Sequence, residues 1–348
     1  MAEPAIVGWD IGGAHVKAVL VEAGRARDAV QLACPLWRGM DHLQQAVSAV
    51  MARYPGRRLS HAVTMTGELA DIFPDRPSGV RMISEQMRSL LGTAPLAIYA
   101  GPHGLLHERP SEPLLTAIAS ANWHASAAFV ASRCRDGLLI DIGSTTSDII
   151  PLQAGRPCFA GYSDAERLAT QELVYSGIVR TPVMAVARRA PFAGTWQGLA
   201  AEHFATMADV YRLTGELPNG VDMADTADGA GKTPEASARR LARMIGRDVE
   251  EASAADWKQL AVFFRSRQLA MLESALLGVL SRVPMPVEVP LLAAGAGRFL
   301  VHRLAARLGR PCVDVDTLMQ ADSACRDWLA VCLPAYAVAS LLESGQSC

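Results

Sequence analysis

The chain carries the same local pattern twice: an apolar strand, an aspartate, a glycine-containing turn and a second apolar strand. The first copy is Ile6-Val7-Gly8-Trp9-Asp10-Ile11-Gly12-Gly13-Ala14-His15-Val16-Lys17, and the second is Leu138-Leu139-Ile140-Asp141-Ile142-Gly143-Ser144-Thr145-Thr146-Ser147-Asp148-Ile149. A single copy would indicate only a hairpin turn. Two copies favour a pair of phosphate-binding turns, because glycine lets the backbone reverse with its N–H groups pointing at an anion. The repeat therefore predicts a duplicated fold with a phosphate site.

Composition excludes several classes of protein. The 33 basic and 35 acidic residues nearly balance and form no Lys/Arg run, so neither a nucleic-acid partner nor a membrane partner is expected. The sequence does not open with an export signal, and the uncharged stretch 329–342 is too short to cross a bilayer and is expected to be a core helix. The seven cysteines include no Cys-x-x-Cys pair and indicate incidental thiols rather than a zinc site. We expect a cytoplasmic protein with small-molecule substrates, and leave open whether it forms a homo-oligomer.

Hydrophobic periodicity predicts an α/β chain whose element order is repeated. A meander of three strands opens it, ending near Ala33, and is followed by helix 41–54, strand 60–65, helix 80–91, strand 96–99 and a helical stretch 114–132. The order then restarts with strands at 138–141, 147–152 and 156–160 and a helix from Asp164. We therefore predict two domains around a central cleft, residues 1–133 and 134–348, with the C-terminal helix able to pack back on the first.

The second half contains an insertion and a further glycine turn. Between about 174 and 233 the pattern loosens, which indicates an insertion on the substrate side. Helices are expected at 233–245 and 254–281, and a strand at 288–293 then runs into Gly295-Ala296-Gly297 and a helix at 299–308. This turn suits an anion or nucleotide at a helix N-terminus, but glycines also serve helix–strand packing, and both alternatives stay open.

The two Asp-Ile-Gly turns and the late Ala-Gly-x-Gly turn resemble the motifs of the actin, sugar-kinase and heat-shock chaperone ATPase superfamily, which implies a duplicated actin-like fold. More specifically, the chain is similar to the hydantoinase/oxoprolinase-related proteins of the tetrahydromethanopterin-linked one-carbon pathway. The segments that carry this resemblance are Met65–Asp71, Ala121-Asn122-Trp123, Asp141–Thr146, Glu172–Gly177, Arg180-Thr181-Pro182, Ala201–Thr206 and Thr226–Gly229.

That resemblance implies a transferase in the biosynthesis of methanofuran, a one-carbon carrier. Its archaeal members join an aminomethylfuran-methyl diphosphate to the phenol oxygen of gamma-glutamyltyramine, and a tyrosine-type acceptor is an alternative. Pyrophosphate would leave, Mg²⁺ would assist, and ATP would not be required. A kinase-like turn usually carries Thr or Ser after its glycines, whereas Ala14 stands here, which argues against phosphoryl transfer.

Under this hypothesis Asp10 and Asp141 are the candidate magnesium ligands, directly or through water, with turn capping as the alternative. Lys17, one of three lysines, would add a fixed charge unless it is a solvated strand residue. N–H and hydroxyl groups of the turns would hold the phosphates, at Gly12, Gly13, His15, Gly143, Ser144, Thr145, Thr146, Gly295 and Gly297.

The phenol must lose its proton, and Glu68 is the first candidate for the base, followed by Asp148 and His15. The alternative for Glu68 is that its charge favours a helix start capped by Thr66.

Aromatic and basic residues are expected to line the acceptor side, because an arginine could grip a glutamyl carboxylate. Each is equally open to a role in the core or on the surface: Trp123, Tyr175, Arg180, His203 and Tyr211. Asp222, Asp225 and Asp228 fit no calcium-loop spacing and predict a solvated, flexible loop.

Two other functions remain as alternatives. The same turns could serve an ATP-dependent small-molecule kinase or an oxoprolinase-like ATPase, with adenosine near Gly295–Arg298. The other alternative is a nucleotide sensor that has no catalytic activity. Pyrophosphate release without ATP would favour the transferase. Substrate-dependent formation of ADP would favour the kinase or ATPase, and nucleotide binding without turnover would favour the sensor.

Overall fold

The computed structural model describes residues 5–345. Its contacts divide the chain into two compact units that alternate along the sequence. Unit 1 takes the residues up to Leu139, Ile150–Phe159 and the residues from Val313 on, and unit 2 takes Ile140–Ile149 and Ala160–Cys312. The predicted boundary at 133/134 and the cleft stay predictions.

Unit 1 is built on a six-stranded sheet in the order β3-β2-β1-β4-β5-β6. Strand β1 pairs antiparallel with β2 and parallel with β4, as expected for a hairpin followed by a helical crossover. The elements are β1 Ala5–Ile11, β2 His15–Glu22, β3 Arg25–Ala33, α1 Asp41–Met51, β4 Leu59–Met65, α2 Arg76–Leu91, β5 Leu96–Tyr99, β6 Leu105–Leu106, α3 Glu112–Ile118 and α4 Asn122–Ala131. The predicted meander is confirmed.

The predicted helical stretch 114–132 is wrong in one respect, because α3 and α4 are separate helices. Ser120 lies between them with φ +52, in the left-handed region that non-glycine residues rarely adopt. A left-handed residue cannot continue an α-helix, so the chain changes direction there.

The remaining elements begin with β7 Gly137–Ile142 and β8 Ser147–Gln153, and the division between the units falls within both strands. The second sheet has the order β10-β8-β7-β13-β14, with β9 also paired to β8. The others are β9 Arg156–Pro157, α5 Asp164–Ala169, β10 Leu173–Val174, α6 Val183–Val186, β11 Arg189–Phe192, β12 Thr195–Gly198, α7 Met207–Thr214, α8 Pro234–Met244, α9 Ala254–Arg282, β13 Leu291–Ala294, α10 Arg298–Leu308, β14 Cys312–Asp314, α11 Arg326–Leu329 and α12 Leu333–Ser344.

The two sheets repeat one arrangement, in which the first hairpin strand lies between its hairpin partner and a strand from later in the chain. In the first sheet this is β2-β1-β4, and in the second it is β8-β7-β13. The predicted α/β class and duplication are therefore confirmed. The predicted insertion contains short elements that periodicity did not reveal: β10, α6, the β11–β12 hairpin and α7.

Opposite faces of β1 pack against different helices. Val7, Trp9 and Ile11 belong to the core cluster that also contains residues of α1 and α2. Gly8 faces α12, where a Cβ atom would lie 1.9 Å from the carbonyl oxygen of Ala335. The expected core helix is confirmed from Leu333 on, whereas residues 330–332 form a turn between α11 and α12; Pro334 is tolerated because it lies in the first turn of α12.

No single helix within residues 5–345 is long and apolar enough to span a membrane; only the bent pair α3–α4 satisfies length and composition. The six cysteines of that range are free thiols, and Cys348 lies outside the described residues.

Candidate functional site

The first glycine turn connects β1 to β2 and is closed by one hydrogen bond, from the Gly12 N–H to the His15 carbonyl at 2.9 Å. A segment behind the turn holds its carbonyls: the Leu36 N–H donates to Gly13 at 3.0 Å and the Cys34 N–H to Ala14 at 2.9 Å. In a trans peptide the C=O and the following N–H point in opposite directions. The Ala14 N–H therefore points away from that segment.

The second turn repeats this construction. The Gly143 N–H donates to the Thr146 carbonyl at 2.8 Å. The Gly143 carbonyl accepts from Ile178 at 3.0 Å, and the Ser144 carbonyl accepts from the Val179 and Arg180 N–H groups at 3.1 and 2.9 Å. The N–H groups of Ser144 and Thr145 consequently point away from residues 178–180. Together with the hydroxyls of the same two residues, whose oxygen atoms Ser144 Oγ and Thr145 Oγ1 lie 3.4 Å apart, these N–H groups form a set of donors suited to an anion.

Asp10 and Lys17 lie opposite each other in the β1–β2 register and form an ion pair, with Lys17 Nζ 3.5 Å from Asp10 Oδ2. Burial raises the pKa of Asp10, and the Lys17 charge opposes that shift. Asp10 Oδ1 and Thr64 Oγ1 are both buried without a hydrogen-bond partner among the described residues. These residues are register partners on parallel strands β1 and β4, so their side chains leave the same face of the sheet.

The third glycine turn packs directly against the end of β7. Gly295 has φ +79, and a Cβ there would lie 2.3 Å from Asp141 Oδ1 and 2.3 Å from the Ile142 carbonyl oxygen. The Gly297 N–H donates to that same carbonyl at 2.8 Å. Unit 2 thus brings together Asp141, the turn 143–146 and the turn 295–297, and we refer to these residues as the glycine-turn cluster.

The three candidate bases occupy different surroundings. Glu68 lies in a 3-10 turn with only 1 % of its surface exposed, and Ser120 Oγ donates to its Oε1 at 2.8 Å. The predicted cap is wrong, since the Thr66 side chain makes no capping hydrogen bond. Asp148 Oδ1 lies 2.8 Å from a guanidinium nitrogen of buried Arg167, so its charge is already balanced. His15 is buried at the start of β2.

The expected acceptor residues separate into buried and exposed ones. Trp123 is buried in unit 1, where its ring contacts His124 and Phe159 edge to face. Tyr211 is fully buried in unit 2. Both therefore follow the core alternative. Of the remaining three residues, Tyr175 is 64 % exposed, and Arg180 and His203 are also exposed.

The acidic loop of the insertion is held by arginines. Asp222 pairs with Arg212, and Asp228 Oδ1 lies 2.9 Å from Nη1 of fully buried Arg240. Asp228 is exposed, as predicted for a solvated loop, whereas Asp222 is half-buried, so the prediction is wrong for Asp222 alone. Asp225 is exposed.

No group of three or more His, Cys, Asp or Glu side chains within residues 5–345 is arranged to hold a metal ion. A cation at Asp10 or Asp141 would therefore take its other ligands from water and phosphate oxygens, as magnesium commonly does. Sequence reasoning also missed two residues at these positions: Thr64, the register partner of Asp10, and Ser120, which donates to Glu68.

Comparisons with known proteins agree with this architecture. The chain is 32 % identical over 246 residues, 70 % of this chain and 72 % of the relative, to the (4-{4-[2-(gamma-L-glutamylamino)ethyl]phenoxymethyl}furan-2-yl)methanamine synthase of Methanocaldococcus jannaschii. The synthase of that name from Methanococcus vannielii is 30 % identical over 125 residues, 36 % of this chain and 56 % of the relative. A nucleotide-free acetone carboxylase structure shares the fold, with a TM-score of 0.60 and 10 % identity over 96 % of this chain and 70 % of that one.

Residues 60–332 match the family model described as hydantoinase/oxoprolinase. The chain belongs to the hydantoinase/oxoprolinase family.

Proposed function

We propose that this protein is a cytoplasmic transferase of methanofuran biosynthesis that forms an aryl ether and releases pyrophosphate. The observation that carries the proposal is the 32 % identity to a synthase whose product name contains a phenoxymethyl-furan unit. That unit is a phenol oxygen joined to a furan through one methylene group. The acceptor would be glutamyl-tyramine or a tyrosine-type phenol.

The step can be written with all its atoms. The bond between the furan-methyl carbon and the diphosphate oxygen breaks, and its electron pair leaves with pyrophosphate. The phenol oxygen forms the new bond to that carbon, and the phenol proton passes to a base. An electron-rich furan stabilises positive charge on the adjacent carbon, so catalysis depends chiefly on stabilising the leaving diphosphate.

The glycine-turn cluster supplies that stabilisation in the proposal. The N–H groups of Ser144 and Thr145 point away from the segment that binds the turn's carbonyls, and hydroxyls stand beside them. Lys17 adds a positive charge at the first turn. Pre-organised donors of this kind stabilise developing negative charge without reorganisation.

Asp10 and Asp141 are each proposed as a magnesium ligand, and a magnesium ion would neutralise diphosphate charge when bound. The buried, unpaired Oδ1 of Asp10 fits this role, because an unpaired carboxylate oxygen in the interior is costly unless a ligand completes it. The neighbouring Thr64 hydroxyl could bind a water of the same ion. Asp141 lies at the glycine-turn cluster, where Gly295 leaves room for its carboxylate.

Glu68 is the proposed base, with Asp148 and His15 behind it. Its carboxylate is buried, so the 3-10 turn that carries it must open for a phenol to reach Oε2. A Glu68→Gln enzyme that keeps full turnover and pyrophosphate affinity would remove it from this role.

The test incubates the purified protein with Mg²⁺, the furan-methyl diphosphate and gamma-glutamyltyramine, without ATP. We expect the ether by mass spectrometry and pyrophosphate in equal amount. Thr145→Val should slow the reaction, whereas Thr195→Val, at an exposed position of β12, should not. Ether formation only with ATP would overturn the mechanism, and substrate-dependent ADP formation would identify the kinase or ATPase alternative.

A further inference from the structure

We infer that Gln268 is a positioning residue for the second glycine turn, acting from α9 through the segment 176–180. Gln268 holds this turn in its conformation, and the importance of that conformation for turnover rests on the proposed function. Gln268 lies 91 residues beyond Gly177 in the chain and is fully buried, so nothing local ties the two together.

The side-chain amide of Gln268 is bonded on both of its ends. Its Nε2 donates to Ser176 Oγ at 2.8 Å and to the Gly177 carbonyl at 2.9 Å. Its Oε1 accepts from the hydroxyl of Tyr211 on α7. Because a carbonyl can only accept, Nε2 must face Gly177, which fixes the orientation of the amide.

The held segment is in direct contact with the turn. A Cβ atom on Gly177 would lie 2.4 Å from the Thr145 nitrogen and 2.5 Å from the Ser144 carbonyl carbon, so the backbone of residue 177 rests on the peptide that joins them. The next three residues, 178–180, donate the N–H groups that hold the carbonyls of Gly143 and Ser144. The direction of the Ser144 and Thr145 N–H groups therefore depends on where residues 176–180 lie.

Only an amide of this length satisfies both sides. Glutamate could accept from Tyr211 but would place an acceptor against the Gly177 carbonyl, and methionine would leave both partners unsatisfied. Removal of one buried partner destabilises any protein, so a loss of stability alone does not separate positioning from packing. The useful contrast is Tyr211→Phe, which removes a hydrogen bond from the same network but leaves the Gln268–Gly177 contact in place.

The experiment compares Gln268→Met, Tyr211→Phe and Gln259→Met, the last at an exposed glutamine of the same helix. Hydrogen exchange at 143–147 and 176–180 is measured on each full-length protein, and inorganic pyrophosphate with Mg²⁺ is titrated by calorimetry. We expect Gln268→Met to speed exchange in these two segments and to weaken pyrophosphate binding by about tenfold. This is the lower end of the affinity loss that follows when a hydrogen bond that orients a binding group is removed. Tyr211→Phe should lower the melting temperature but leave both readouts near wild type, and Gln259→Met should change nothing.

Unchanged exchange in both segments of Gln268→Met would overturn the inference, as would an equal change in Tyr211→Phe. The conservative Gln268→Glu should show faster exchange at 176–180 as well, which provides a second test if the methionine variant does not fold. If exchange changes as expected but the wild-type protein does not bind pyrophosphate, positioning by Gln268 stands and the proposed function fails.

Discussion

Gly295→Ala gives a sharp test of how the third glycine turn meets β7. Two costs follow from the structure. At φ +79 an alanine pays about 1–2 kcal/mol for the left-handed conformation. Its Cβ would also lie 2.3 Å from both Asp141 Oδ1 and the Ile142 carbonyl oxygen, about 1 Å inside ordinary contact, so those atoms must move. That movement strains the bond from the Gly297 N–H to the same carbonyl, and we estimate an additional cost of about 2–3 kcal/mol.

The matched control is Gly309→Ala, at the C-terminus of α10. Gly309 has φ +62, but a Cβ there would meet no atom within 4 Å, so only the conformational cost applies. Urea denaturation of both variants, followed by tryptophan fluorescence, should show Gly295→Ala about 2–3 kcal/mol less stable than Gly309→Ala. Pyrophosphate binding should fall only in Gly295→Ala, because the Asp141 carboxylate is displaced. Equal losses of stability in the two variants would refute the reasoning.

Three further outcomes are expected. Thr64→Val removes a buried hydroxyl that has no partner among the described residues, so the free energy of unfolding of the metal-free protein, measured by urea denaturation, should rise by about 1 kcal/mol. The affinity for Mn²⁺, measured by electron paramagnetic resonance, should fall. A variant less stable than the wild type would contradict this prediction. Arg167→Met should lower the free energy of unfolding by about 3–5 kcal/mol, because it removes the guanidinium that pairs with Asp148 and donates to the Glu172 carbonyl. Adding Asp148→Asn should recover part of this loss, and urea denaturation of both variants checks this. Burial lowers the pKa of His61 to about 4. As the pH falls from about 6.5 to 4, His61 takes up a proton in the unfolded chain before it does so in the folded protein, so the folded protein loses stability. His61→Gln should therefore make the urea midpoint less dependent on pH in that range.

Elements with strong periodicity could be predicted from the sequence, and those fixed by tertiary contacts could not. Strand β5 was predicted with the same ends that the structure has, because four apolar residues lie between turn residues. The β11–β12 hairpin was missed, since its turn is Ala193-Gly194, in which only the glycine is a turn signal. The break at Ser120 could not be read either, because serine does not favour a positive φ.

The candidate site shows the same division. The equivalence of the two Asp-Ile-Gly turns could be read directly, and the matching bonds closed by Gly12 and Gly143 support it. The contact of Gly295 with Asp141 could not be predicted, because it joins residues 154 positions apart through the pairing of β7 with β13, which the sequence does not specify. Gln268 carries no local signal, since a glutamine within an amphipathic helix is ordinarily a surface residue.

The position of α12 has a consequence for synthesis of the protein on the ribosome. This helix covers the face of β1 on which Gly8 meets Ala335, yet it is translated after the whole of unit 2. During translation this face of the first sheet therefore stays without α12 while the 226 residues between β6, which ends at Leu106, and α12, which begins at Leu333, are made. Nascent chains halted before residue 333 should be bound by chaperones that recognise exposed apolar strands, and release should coincide with emergence of the last helix from the exit tunnel.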